Sequence, residues 1–103
     1  MPTVHQVTQY NYQFHGGENG YQGNRAIIRL MNGGKSVAYV HFVPEGKPIP
    51  NDTDSGPWIR MHLPEAQLEN VIDQLRNEKP ISVYFAAGSA FLLTGNEPIG
   101  EDE

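Results

Sequence analysis

Apolar and polar positions alternate along about half of this chain, and one stretch between alternating segments takes a helical period instead. From Val4 to Phe14, Tyr10, Tyr12 and Phe14 take one parity while Gln9, Asn11 and Gln13 take the other, which predicts a strand with one wet face. Residues 15–24 carry glycines at 16, 17, 20 and 23 and read as a loop between neighbouring strands. Arg25–Met31 and Lys35–Val43 then flank Asn32-Gly33-Gly34, a strong hairpin signal, because glycines tolerate the positive φ angles of a type I′ turn. A regular two-residue turn sets Leu30 opposite Val37, Ile28 opposite Tyr39 and Ala26 opposite His41. The other face then carries Ile27, Arg29, Met31, Ala38, Val40 and Phe42.

Both faces of that hairpin are largely apolar. An antiparallel sheet in a small monomer keeps one face wet, and one helix covers only one face. The second face therefore calls for a loop, another sheet layer or a second subunit. Residues 44–57, with prolines at 44, 48, 50 and 57, read as a long loop. Trp58–Leu63 reads as a short strand with Trp58, Arg60 and His62 on one side. The period then changes: Leu68, Val71, Ile72 and Leu75 follow helical spacing behind Pro64, which predicts a helix over roughly 64–78. No Ser, Thr, Asp or Asn immediately precedes it, so its cap is weak. Ile81–Ala86 and Ser89–Thr94 flank Ala87-Gly88 as a second hairpin, with Tyr84 meeting Phe91 and Val83 meeting Leu92. The fold class is α+β: an antiparallel sheet of five or six strands, in the order β-β-β-β-α-β-β, with one helix packed on one face. The expected domain spans residues 1–94, and 95–103 form an acidic flexible tail.

With 103 residues the chain has the length of one domain, and with no cysteine it has no disulfide, thiolate metal site or cysteine nucleophile. The beginning, MPTVHQVTQY, lacks the basic stretch and apolar core of a secretion signal, so a cytoplasmic protein is expected. The formal charge of −5 is unevenly placed. Residues 1–64 hold four acids against five bases, whereas 65–103 hold eight acids against Arg76 and Lys79.

Chemistry-bearing motifs are sparse. His5, His15, His41 and His62 show no metal-ligand spacing. Asp52-Thr53-Asp54-Ser55-Gly56 lacks the late glutamate of a calcium loop. Gly33-Gly34-Lys35-Ser36 lacks the spacing of a phosphate loop, and no serine sits in a nucleophile elbow. The sequence thus points away from catalysis and calls for no cofactor and no metal. The reading it favours is a non-catalytic interaction or structural module, a homodimer packed through Ile27, Arg29, Met31, Ala38, Val40 and Phe42, with another protein as an alternative partner. A second reading is single-stranded nucleic-acid binding, with Arg25 and Arg29 on phosphates and the rings of Tyr10, Tyr12, Tyr39 and Trp58 against bases, opposed by the net charge. A third is a small-molecule pocket between sheet and helix near His41, Trp58 and Tyr84. No membrane association is expected.

Overall fold

The computed structural model describes residues 3–55 and 58–94; the tail expected over 95–103 lies outside them. Among the described residues the chain forms eight strands and one α-helix. One extended run is divided at Thr8 into β1 (Thr3–Val7) and β2 (Gln9–Phe14). The first hairpin is β3 (Ala26–Asn32) and β4 (Lys35–Val43). A short β5 (Thr53–Ser55) precedes β6 (Trp58–Pro64), a 3-10 turn (Glu65–Gln67) leads into α1 (Leu68–Asn77), and β7 (Ile81–Ala86) with β8 (Ser89–Thr94) form the second hairpin.

The strands make two sheets, which corrects the expectation of a single antiparallel one. The larger has the order β2-β3-β4-β6-β5 and is mixed, because β4 and β6 run parallel; the smaller is antiparallel with the order β1-β7-β8. Parallel neighbours need a crossover of a dozen or so residues, and the 44–57 segment supplies one. That segment is not all loop, since β5 within it pairs with β6. At Thr8 the chain leaves one sheet for the other. The Thr8 amide donates to the Met31 carbonyl (2.8 Å), its hydroxyl accepts from Gly33 N (3.0 Å), and Gln9 Oε1 accepts from Gly34 N (3.0 Å). The side chains at the division therefore also hold the hairpin turn.

The second hairpin has the expected register, with Val83 on Leu92 and Tyr84 on Phe91. The first does not. Gly33 and Gly34 turn with φ of 62° and 88°, Asn32 faces Lys35 and Met31 faces Ser36. Between Leu30 and Met31 the register shifts, and beyond it Leu30 faces Ala38, Ile28 faces Val40 and Ala26 faces Phe42. An extra residue on β4, a β-bulge, moves every later β4 side chain to the opposite face. Ala38, Val40 and Phe42 are therefore fully buried beside Ala26, Ile28 and Leu30, and do not share a surface with Ile27, Arg29 and Met31. The six-residue interface face expected from the sequence is corrected accordingly. Once the bulge is in place the hairpin has one apolar and one mixed face, and much of the apparent second apolar face disappears.

The apolar face packs with Ile59 of β6, Val71 of α1 and Val83 and Ala90 of the small sheet in one core; Leu68, Ile72 and Leu75 of α1 border it. The helix has no side-chain cap, as expected from the lack of a Ser, Thr, Asp or Asn before it. Glu65 in the 3-10 turn serves tertiary structure instead, accepting from Glu45 N (2.8 Å).

Asp52 joins the sheets. The β5–β6 ladder stops at Thr53 and Arg60; beyond it Asp52 Oδ1 accepts from His62 N (2.8 Å) and Oδ2 accepts from Ala90 N on β8 (2.9 Å). One carboxylate thus satisfies one strand amide in each sheet. Hydrogen bonds to an ionised group contribute more than neutral ones, and losing the acceptor leaves part-buried N–H groups unpaired. Asp52→Ala is expected to lower unfolding free energy by about 2–4 kcal/mol, measured by urea denaturation, while Asp54→Ala, which loses only an exposed bond to Thr3, stays within about 1 kcal/mol of wild type.

Candidate nucleic-acid interface

The face of the larger sheet turned away from the core carries the side chains with chemistry. Cross-strand pairing sets Asn11, Arg29, Tyr39, Arg60 and Thr53 in one row across all five strands, with His41 beside His62 in the next. The bulge puts Tyr39 and His41 on this face, and the parallel β4–β6 register brings Arg60 and His62 alongside them. Trp58 shares the face of Arg60 by strand alternation.

The side chains interlock. The Tyr39 and Trp58 rings meet edge to face at 5.3 Å, and the Arg60 guanidinium lies over both, 5.1 Å from the tyrosine centroid and 5.5 Å from that of the tryptophan. Arg60 Nη1 donates to His41 Nε2 (3.1 Å). An arginine only donates, so His41 accepts there and is neutral. The His41 ring stacks on His62 (4.9 Å, 14° between planes), and His62 Nδ1 lies 3.8 Å from Asp52 Oδ1, too far for a hydrogen bond. Arg29 Nε donates to Ser36 Oγ (2.6 Å), leaving its terminal nitrogens without a partner among the described residues.

Beside this cluster lies a cleft of about 540 Å³, floored by His41, Arg60 and His62 and walled by residues 19–24 on one side and by Pro44, Lys47, Pro48 and Pro50 on the other. Among the described residues no Asp or Glu lines it, and two fixed cations, Lys47 and Arg60, do. Its first wall is held from behind by Arg25, whose Nη1 donates to the carbonyls of His15 and Gly17 (both 2.8 Å) and whose Nη2 donates to that of Glu18 (3.0 Å). Tyr21 and Asn24 exchange both backbone hydrogen bonds. Gly20 has φ 68°, and a Cβ there would lie 2.1 Å from the Asn24 oxygen, so the wall closes only with glycine.

These positions redistribute the residues singled out in the sequence. Arg29 remains on the mixed face, but Tyr10 and Tyr12 pair with Leu30 and Ile28 and point to the opposite side. Arg25 is committed to the loop and lies 3.8 Å from Glu65. The four residues therefore do not form one surface. Likewise His41 and Trp58 sit on the face away from α1, while Tyr84 belongs to the smaller sheet and meets Phe91 at a tilt, so no pocket between sheet and helix unites them. The sequence reading included Tyr39 and Trp58 among the candidate aromatic contacts but missed Arg60 and Lys47 as their partners. The alternation of Trp58, Arg60 and His62 was visible; the pairing that places them beside Tyr39 was not.

No described group of three or more His, Asp or Glu residues is arranged to hold a metal ion, and no described helix is long and apolar enough to cross a membrane. No family model matches the chain, and no curated protein or solved structure is significantly similar to it.

Burial, then the neighbouring His62 and Arg60, lower the His41 pKa from 6.5 to about 4. His62 is also lowered, by burial first, against the opposing pull of Asp52. The unfolded chain therefore takes up a proton near pH 6.5 that the folded protein refuses until about pH 4. The stabilisation from neutral His41 is complete above that window and lost as pH falls through it, by up to about 3 kcal/mol. His41→Gln, which keeps an acceptor for Arg60, should show a shallower fall in melting temperature between pH 6.5 and 4 than wild type, checked by calorimetry at matched ionic strength.

Proposed function

We propose that the protein binds single-stranded nucleic acid across the mixed face of the larger sheet, with bases stacking on Trp58, Tyr39 and the Arg60 guanidinium and with phosphates meeting Arg60, Lys47 and Arg29. The observation that carries this reading is the Arg60 guanidinium laid over two aromatic rings at the edge of a cleft that no described acid lines. Any base offers a π face to such a platform, and stacking contributes about 1–3 kcal/mol per base. Arginine serves both halves of the task, presenting a flat cation to a ring and a donor fork to a phosphate.

The net charge of −5 is less adverse than it first looks. Eight of the twelve acids fall in residues 65–103, while the strand positions of the mixed face carry arginines and no acid. A footprint of three cations predicts modest affinity with a shallow salt dependence, each phosphate contact contributing about −0.7 to the slope of log K against log salt. The face-packed homodimer is the weaker reading, because three of its six residues are buried in the monomer core.

The single tryptophan gives a site-specific signal. Titration with a single-stranded oligonucleotide of about 15 nucleotides at low salt should quench Trp58 fluorescence saturably, and duplex DNA of the same length should quench it less. Trp58→Ala, followed by anisotropy of a labelled oligonucleotide, should weaken binding by about 1–3 kcal/mol. Lys47→Gln should flatten the salt slope by about 0.7, and Arg76→Gln, on α1 across the sheet, should leave the slope unchanged. Absence of binding at low salt, or equal losses for Arg76→Gln and Arg60→Gln, would reject the reading.

A further inference from the structure

We infer that β2 is a homodimerisation edge, at which two copies of the chain pair antiparallel about a two-fold axis through Tyr12 and join their larger sheets into one. This goes beyond the nucleic-acid reading and does not depend on it.

The sheet order places β2 at one end, with β3 on one side and no described strand on the other. His15 N donates to the Arg25 carbonyl (2.8 Å), which fixes the alternation of the ladder. Gln9, Asn11 and Gln13 turn their backbone groups toward β3, and Tyr10, Tyr12 and Phe14 turn theirs outward. The edge, Gln-Tyr-Asn-Tyr-Gln-Phe, contains no charge and no proline, the two devices that usually discourage edge pairing. At the other end of the sheet β5 is only three residues long.

Side chains on this edge are exposed in a manner a monomer does not explain. Tyr12 is 46% and Phe14 58% exposed, on the face that elsewhere forms the core. Their rings meet edge to face at 5.1 Å, and Tyr10 lies 6.4 Å from Tyr12. A two-fold axis at Tyr12 sets Tyr12 against its own copy and Tyr10 against Phe14 of the other chain, so every aromatic on the edge gains an aromatic partner. That register uses the outward backbone groups, as hydrogen bonding requires. A groove of about 840 Å³ opens beside Tyr10, with Val7, Leu75 and Ile81 as its apolar lining and Arg76, Glu78 and Lys79 along it as well. It lies where Phe14 of the second copy arrives. This complementarity of one edge with itself selects a second copy over a different partner.

An antiparallel two-fold axis stands perpendicular to the joined sheet, so both mixed faces look the same way. Asn11, next to Arg29 in its row, then lies at the seam, and the two Arg29–Tyr39–Arg60 rows flank it. A six-residue edge is at the small end of stable interfaces, which sets the expected dissociation constant on the order of 10 µM.

Sedimentation velocity of the full chain across roughly 1–500 µM tests the assembly. A monomer–dimer equilibrium is expected, with Phe14→Lys raising the dissociation constant at least tenfold at an unchanged melting temperature. The native chain has no cysteine, so single cysteines report the register. Tyr12→Cys should oxidise to a covalent dimer, its two Cα atoms about 5.5 Å apart, whereas Gln9→Cys should not. A wild-type monomer throughout that range would overturn the inference. So would a dimer indifferent to Phe14→Lys, or cross-linking of Gln9→Cys equal to that of Tyr12→Cys. Because sedimentation is measured without nucleic acid, failure here leaves the oligonucleotide titration to stand or fall separately.

Discussion

The constraint on which the rest depends is the one-residue slip between Leu30 and Met31 of β3 against β4. The tight turn at Gly33-Gly34, left to propagate, would send Val40 and Phe42 outward and turn Tyr39 and His41 toward the core. Burying a valine or phenylalanine contributes about 1.5–3 kcal/mol, whereas burying an imidazole and a phenol demands a partner for each polar atom. The bulge sacrifices local pairing at one position and puts the apolar members of both strands in the interior. It is a stability device first. Its second effect is to put Tyr39 and His41 on the same sheet face as Trp58, Arg60 and His62, with His41 buried among them.

The parallel pairing of β4 with β6 completes that surface. Parallel neighbours require the chain to travel back before it re-enters the sheet, and the returning 44–52 segment walls the cleft with prolines and Lys47. The same return delivers Asp52 to the gap between the sheets, where it holds His62 N and Ala90 N. Structural and candidate functional roles are thereby interleaved over a few residues. Asp52 anchors the strand that carries His62, His62 stacks on His41, and His41 accepts from Arg60. Arg60 is held over its rings by a neutral histidine and has no carboxylate partner among the described residues, so its positive charge stays available to a ligand. A carboxylate at the place of His41 would hold the same guanidinium more tightly and cancel the field that attracts an anion.

Charge is divided in the same spirit. Glu65 is occupied by Glu45 N and by the neighbourhood of Arg25, and Glu69 and Asp73 lie on α1, whose apolar side borders the core on the far side of the sheet. The Debye length in physiological salt is about 8 Å, so a ligand on the mixed face responds to nearby arginines more than to the total charge. The net charge of the chain is accordingly a poor guide to what this face can bind.

Local elements were legible in the sequence because short-range rules govern them. The Gly33-Gly34 turn, the Leu68–Val71–Ile72–Leu75 stripe, the weak cap after Pro64 and the register of the second hairpin all follow from neighbours a few positions apart. The bulge was not legible, since it is decided by a comparison of two whole-sheet packings, and no residue between 30 and 38 announces it. The division at Thr8, the parallel β4–β6 pair and the three-residue β5 are likewise choices among long-range partners. The candidate site inherits this limit. Its residue types could be read from the chain, and Arg29 and Trp58 were among them, but their grouping follows the faces on which register and sheet order set them. Periodicity tells which side chains share a strand face; only the tertiary structure tells which face meets which, because a single inserted residue reverses the answer at no visible cost in composition.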